Sequence, residues 1–174
     1  MTKRIENAYK LLSDYLQKSA REHPDRNAIV YGDQHITYRE FNEKTEILAK
    51  YLLSIGVKRQ DRIAYIMEIQ PEFFYLYMAA ARVGAIIVGI GTRLMPPEME
   101  HIINSAEAEY VFITGGDRPY VEKLSQTLPQ CPTVSKVVVV GDRPEDFEAD
   151  DFAEIIKEDY AEFKQALIER ESQV

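Results

Sequence analysis

The chain has 174 residues, 45% of them apolar and 29% charged, which is enough for one domain with a real core and an ordinary balance for a globular protein. Its net charge of −8 is unevenly placed: residues 1–141 hold 17 basic and 17 acidic side chains, residues 142–174 only 4 against 12. Without a basic stripe to meet phosphate, nucleic acid is excluded as a partner. The single cysteine, Cys131, excludes an internal disulfide and fits a reducing, cytoplasmic setting.

Residues 1–10 lead into an amphipathic helix pattern and not an apolar h-region, so no signal peptide is expected. Ile5, Ala8, Tyr9, Leu12, Tyr15 and Leu16 line one face of a helix over 3–22, which His23-Pro24-Asp25 ends. Ala28–Tyr31 and His35–Tyr38 flank Gly32-Asp33-Gln34 and predict a β-hairpin. A second helix is predicted from about Arg39 to Ser54, with Phe41, Thr45, Leu48, Ala49 and Leu52 inward and Gly56 as its stop. Arg62–Met67 reads as a short strand, and Pro71 falls in the first turn of the following helix, where its missing N–H costs nothing.

Phe73 to Gly91 carries Arg82 as its only charge and is long enough to suggest a membrane span. A charge at its middle and glycines at 84, 89 and 91 argue instead for a buried helix running into a buried strand, Ile86–Val88. Pro96-Pro97-Glu98 opens a helix with Met99, Ile102, Ile103 and Ala106 on one side. Tyr110–Thr114 is a strand, Tyr120–Leu128 a short helix, and Val137–Val140 a strand with both faces covered. The acidic segment from 142 is helix-prone at Phe152–Ile156 and Tyr160–Ile168, with too few apolar residues to stand alone. The expected fold class is α/β: an N-terminal hairpin plus a mainly parallel sheet flanked by helices.

Motifs for chemistry are sparse. Gly84 to Gly91 has neither the spacing nor the strand-then-helix context of a dinucleotide fingerprint, and no lysine follows to make a P-loop. Thr114-Gly115-Gly116-Asp117 has the right topology for an anion site, but Asp117 brings the wrong charge and a plain turn is preferred. His23, His35 and His101 form no metal-binding pair, and His101 is expected on an exposed helix face. Cys131 reads as a small hydrophobe beside Pro132.

Several stretches, in consistent order, resemble the N-terminal region of the adenylate-forming superfamily of AMP-forming acyl-CoA synthetases. They are His23-Pro24-Asp25-Arg26, Thr37-Tyr38-Arg39-Glu40-Phe41, Gly56-Val57 to Asp61-Arg62-Ile63-Ala64, Ala79 to Ala85, and Thr92-Arg93-Leu94 with Glu98 to Ala106. Gln60 departs from the family's glycine, and Gly91 stands near its customary asparagine. From the residues themselves, Asp61-Arg62 is expected to hold a turn and Gly84-Ala85 to let a helix end pack closely on the sheet. Arg93 is read first as a structural ion pair and second as an anion contact.

The resemblance implies a partial N-terminal lobe of the acyl-CoA synthetase-like fold, with residues 1–141 as an α/β subdomain and 142–174 as an acidic helical tail leading toward a phosphate loop. It implies that a full-length parent joins a carboxylic acid to CoA through an acyl-adenylate, using ATP, Mg and CoA. A medium- or long-chain fatty acid is the preferred substrate. An aryl-acid ligase, an amino-acid-adenylating domain and a luciferase-like enzyme are alternatives within the family; a non-catalytic binding or assembly module is the alternative outside it. The family's phosphate loop, adenine-binding motifs and catalytic lysine have no counterpart here. The resemblance therefore places no catalytic residue, metal ligand or bound cofactor on this chain, which is expected to be inactive alone and to self-associate through an exposed edge or apolar face.

Overall fold

A computed structural model describes residues 12–173. Leu12–Glu22 forms helix α1; the positions expected at Ile5, Ala8 and Tyr9 lie outside the described residues. The hairpin follows as β1 (Asn27–Tyr31) and β2 (Gln34–Thr37), antiparallel, with a register irregularity between Asn27 and Ile29.

Helix α2 (Tyr38–Ser54) begins where its sequence says it should. The Thr37 hydroxyl accepts from the Glu40 N–H at 3.2 Å, and the Glu40 carboxylate accepts from the Thr37 N–H at 2.8 Å, so two otherwise orphaned donors are satisfied reciprocally. Phe41, Thr45, Leu48, Ala49 and Leu52 are all buried, as their spacing predicts. Burial of a large apolar side chain of this kind stabilises by about 1.5–3 kcal/mol.

From there strands and helices alternate: β3 (Arg62–Ile66), α3 (Pro71–Val83), β4 (Ile86–Gly89), α4 (Pro96–Ala106), β5 (Tyr110–Thr114), α5 (Tyr120–Thr127) and β6 (Lys136–Val140). The chain continues through a two-residue strand, β7 (Asp150–Asp151), a short α6 (Phe152–Ile155), a 3₁₀ turn (Ala161–Phe163) and α7 (Lys164–Gln173). The five strands lie in the order β4-β3-β5-β6-β7, all parallel.

Side-chain alternation sorts the sheet into two cores. Ile63, Tyr110, Phe112, Val138 and Val140 face one side, under α2, α3, α6 and α7. Ala64, Ile66, Val111, Ile113, Val137 and Val139 face the other, under α4 and α5. Both faces being covered, the central strands need no polar alternation. Strand β4 departs from the buried strand expected at 86–88. It is an edge strand, with Ile86 48% exposed and Ile87 and Val88 only partly covered.

Gly84 has φ +72 and caps α3 in the left-handed conformation, with the Ala85 N–H reaching back to the Ala80 carbonyl at 2.9 Å. Its conformation is thus one that glycine adopts without strain. Among the described residues no helix is long and apolar enough to cross a membrane. The acidic segment meets the core's cations: Asp150 binds Lys136 at 3.2 Å and accepts from the Tyr51 hydroxyl at 2.5 Å, and Glu171 binds Arg82 at 2.5 Å.

Candidate functional site

In a doubly wound parallel sheet, ligands bind outside the carboxyl ends of the strands, where successive connections leave to opposite sides. Here the chain runs from β3 outward to β4, then returns to place β5 on the other flank of β3. The switch point therefore lies between β3 and β5, and the segments at its mouth are 67–70, 90–95 and 115–119.

Polar groups converge there. The Tyr120 hydroxyl donates to Glu68 Oε1 at 2.9 Å, and Arg118 Nε stands 3.8 Å from the same oxygen. The Gln70 amide donates to the Thr114 hydroxyl at 3.3 Å. Beside them runs an open groove of about 510 Å³, lined by Tyr65, Met67, Glu68, Ile69 and the segment 89–92. At Gly89 a Cβ would stand 2.8 Å from the Tyr65 hydroxyl, so a larger residue there would displace that ring from the groove wall.

Arg93 follows the lining residue Thr92 in sequence, in a turn closed by the Leu94 N–H on the Gly91 carbonyl at 3.0 Å. Lys123 pins the turn by donating to the Leu94 carbonyl at 3.0 Å. The Arg93 side chain is exposed and has no ion pair or hydrogen bond among the described residues, so the structural ion pair expected of it has no partner here.

Thr114-Gly115-Gly116-Asp117 is a turn in which both glycine donors are already used. The Gly115 N–H goes to the Val140 carbonyl at 2.8 Å and the Gly116 N–H to the Asp142 carbonyl at 2.6 Å. Asp61 and Arg62 both hold turns, though not as a pair with each other. Asp61 accepts from the Lys58 N–H at 2.7 Å, while Arg62 donates to the Ala106 and Glu107 carbonyls at 2.8 Å each. His101 is exposed, and Cys131 is buried, where burial and then Glu100 raise its thiol pKa and keep it unreactive. Among the described residues no group of three or more His, Cys, Asp or Glu side chains could hold a metal ion. Glu68, Arg118 and Tyr120 were not legible as a cluster. The available signal was an ionisable residue set directly after the apolar run Ile63–Met67, at a strand's carboxyl end.

With this geometry in hand, comparison with known proteins is decisive. The sequence profile of the family described as "AMP-binding enzyme" matches residues 16–171. The chain belongs to the AMP-binding enzyme family. It is 30% identical over 116 residues to a 4-hydroxybutyrate–CoA ligase of Metallosphaera sedula, covering 67% of this chain and 21% of that protein. A medium/long-chain-fatty-acid–CoA/3-oxocholest-4-en-26-oate–CoA ligase of Mycolicibacterium smegmatis is 24% identical over 135 residues, covering 78% of this chain and 24% of the relative. Among solved structures, an anthranilate CoA ligase in complex with anthranoyl-AMP superposes with a TM-score of 0.79 at 21% identity, over 87% of this chain and 28% of that one. An acetoacetyl-CoA synthetase from Streptomyces lividans gives a TM-score of 0.77 at 18% identity, over 86% and 25%. At such identities the structural likeness establishes the fold, which is that of the N-terminal part of acyl-CoA ligases. The chain spans about a fifth to a quarter of the length of the curated relatives it matches.

Proposed function

We propose that this chain is the N-terminal sheet lobe of an acid–CoA ligase that condenses a carboxylic acid with ATP to an acyl-adenylate and pyrophosphate, then transfers the acyl group to CoA with release of AMP. The observation carrying this reading is the family match over residues 16–171 on a doubly wound sheet of matching topology. A medium- or long-chain fatty acid is the preferred substrate, supported by the mycobacterial relative. Magnesium, when bound with ATP, shields phosphate charge in such a reaction. What this lobe contributes is a rigid carboxyl-end groove and an exposed guanidinium, Arg93, as an anion contact at its rim. A cytoplasmic location accords with the lone, reduced cysteine.

The purified 174-residue chain is expected to give no exchange of pyrophosphate into ATP with fatty or aryl acids; measurable turnover would overturn its assignment as an inactive lobe. The ligase reading has a separate check in the encoding frame past Val174. A Ser/Thr/Gly-rich phosphate loop there supports the ligase, and an immediate stop favours a binding module. We also infer self-association through the edge of β4, which is unpaired among the described residues, supported by the 48% exposure of Ile86 and an adjacent groove lined by Leu12, Tyr65, Tyr77 and Ile87.

A further inference from the structure

Helix α7 is attached to the core by unusual means. Of its ten residues only Leu167 is buried, and a ten-residue helix with one apolar anchor has little stability of its own. What holds it otherwise is charge. Arg170 Nη1 donates to the carbonyls of Val57 and Val83, both at 3.2 Å, so that one side chain ties the region just past the end of α2 to the end of α3. The neighbouring Glu171 binds Arg82 Nε at 2.5 Å and accepts from the Gln17 amide at 3.2 Å.

Arg82 itself is 5% exposed, and its other carboxylate, Glu46, is 3.8 Å away. Its Nη1 is buried without a hydrogen-bond partner among the described residues. The guanidinium is therefore incompletely satisfied even with α7 in place, and depends on Glu171 for its closest contact. At the other end of the segment, Tyr160 adopts φ +50, a left-handed conformation that costs a non-glycine residue about 1–2 kcal/mol. A strained residue, a single apolar anchor and a charged clasp thus follow one another along the same stretch.

We propose that residues 161–173 form a strap that opens and closes on the lobe as one unit, hinged at Tyr160 and latched by Glu171 on Arg82, with the parallel sheet intact throughout. Opening relaxes the hinge and bares the Arg82 guanidinium and the Val57 and Val83 carbonyls; closing covers them. Local openings of this kind draw on segments with few buried apolar contacts.

Amide hydrogen exchange read by mass spectrometry on the 174-residue chain tests it. Peptides covering 161–173 are expected to share one opening equilibrium, well above that of β3 and β5. Glu171→Gln, and separately Arg170→Gln, are expected to raise exchange in 161–173 by about tenfold, with β3 and β5 unchanged, as suits loss of a charge-assisted hydrogen bond. Exchange of 161–173 in step with β3 and β5 in the wild-type chain overturns the strap, whether or not either variant folds. Both variants leaving 161–173 unchanged overturns the latch.

Discussion

At the scale of single residues, two positions carry most of the testable chemistry of local structure. Gln60 has φ +67, in the turn where its N–H reaches the Gly84 carbonyl at 2.8 Å. A side chain there costs about 1–2 kcal/mol, and glycine's extra unfolded-state freedom returns part of that. Gln60→Gly is expected to raise stability by about 0.5–1 kcal/mol in urea unfolding, which makes the departure noted in the sequence a strained one. At the start of α2, the Glu40 carboxyl is held below the ordinary carboxylate range, first by the Thr37 backbone N–H and then by its hydroxyl. A depressed folded pKa gives stability that is present above the unfolded value and lost as pH falls through the folded one. The stability difference between wild type and Glu40→Gln should therefore be largest near neutrality and vanish below the carboxyl's depressed pKa. Thr37→Ala is expected to cost about 1 kcal/mol at neutral pH. Urea midpoints measured across pH 2–7, on the order of the carboxylate range, check both.

At the scale of elements, the contact between α2 and β7 is the most sensitive. Tyr51 donates to Asp150 at 2.5 Å, and burial followed by that carboxylate pushes its phenol above its usual range. Burial does the same for Tyr75 under α2, with Glu72 adding to it. A raised folded pKa means the stability is complete below about pH 10, where free tyrosine ionises, and is lost as pH rises beyond it. Alkaline titration followed by tyrosinate absorbance is expected to show these phenols ionising only together with unfolding. Tyr51→Phe should cost about 1.5–3 kcal/mol at neutral pH, the worth of a hydrogen bond to a charged group. Independent titration of every phenol ahead of unfolding would contradict this.

These elements also show what a sequence discloses. Helix α2 was legible to within a residue of its start, because its apolar spacing is helical and Gly56 marks its stop; the capping pair Thr37 and Glu40 is what sets that start in the structure. The central strands were legible because four valines in a row have no exposed face to serve. Strand β7 was not: Asp150-Asp151 has little strand preference of its own and is extended by pairing with Val138 and Val139. Buried Arg82 was hidden for a related reason, since its closest partner, Glu171, lies 89 residues away. At the candidate site, Arg93 was visible as a basic residue past a strand. Its lack of a partner among the described residues, and the meeting of Glu68, Arg118 and Tyr120, depend on how three separate strand ends line up.

At the scale of the whole molecule, the sheet's two flanks differ. On one side β7 is only two residues long, a short edge of the kind that resists pairing with other chains. On the other, β4 offers four residues whose outer ladder is unpaired among the described residues, with Ile86 48% exposed. Sedimentation velocity is expected to show concentration-dependent association of the wild-type chain and a monomer for Ile86→Lys, a charge placed where edge pairing must exclude it. A single monomeric species of the wild type across the concentration series would remove the inference.

The strand order has a consequence for how the chain is made. Strand β3, first of the parallel set to leave the ribosome, is flanked by the next two, and β6 and β7 then join in turn on the outer side. No strand must wait for a later one to supply its seat, and none has to be threaded between two already paired. The sheet can accordingly be laid down in the order of translation, each arrival finding its neighbour already present.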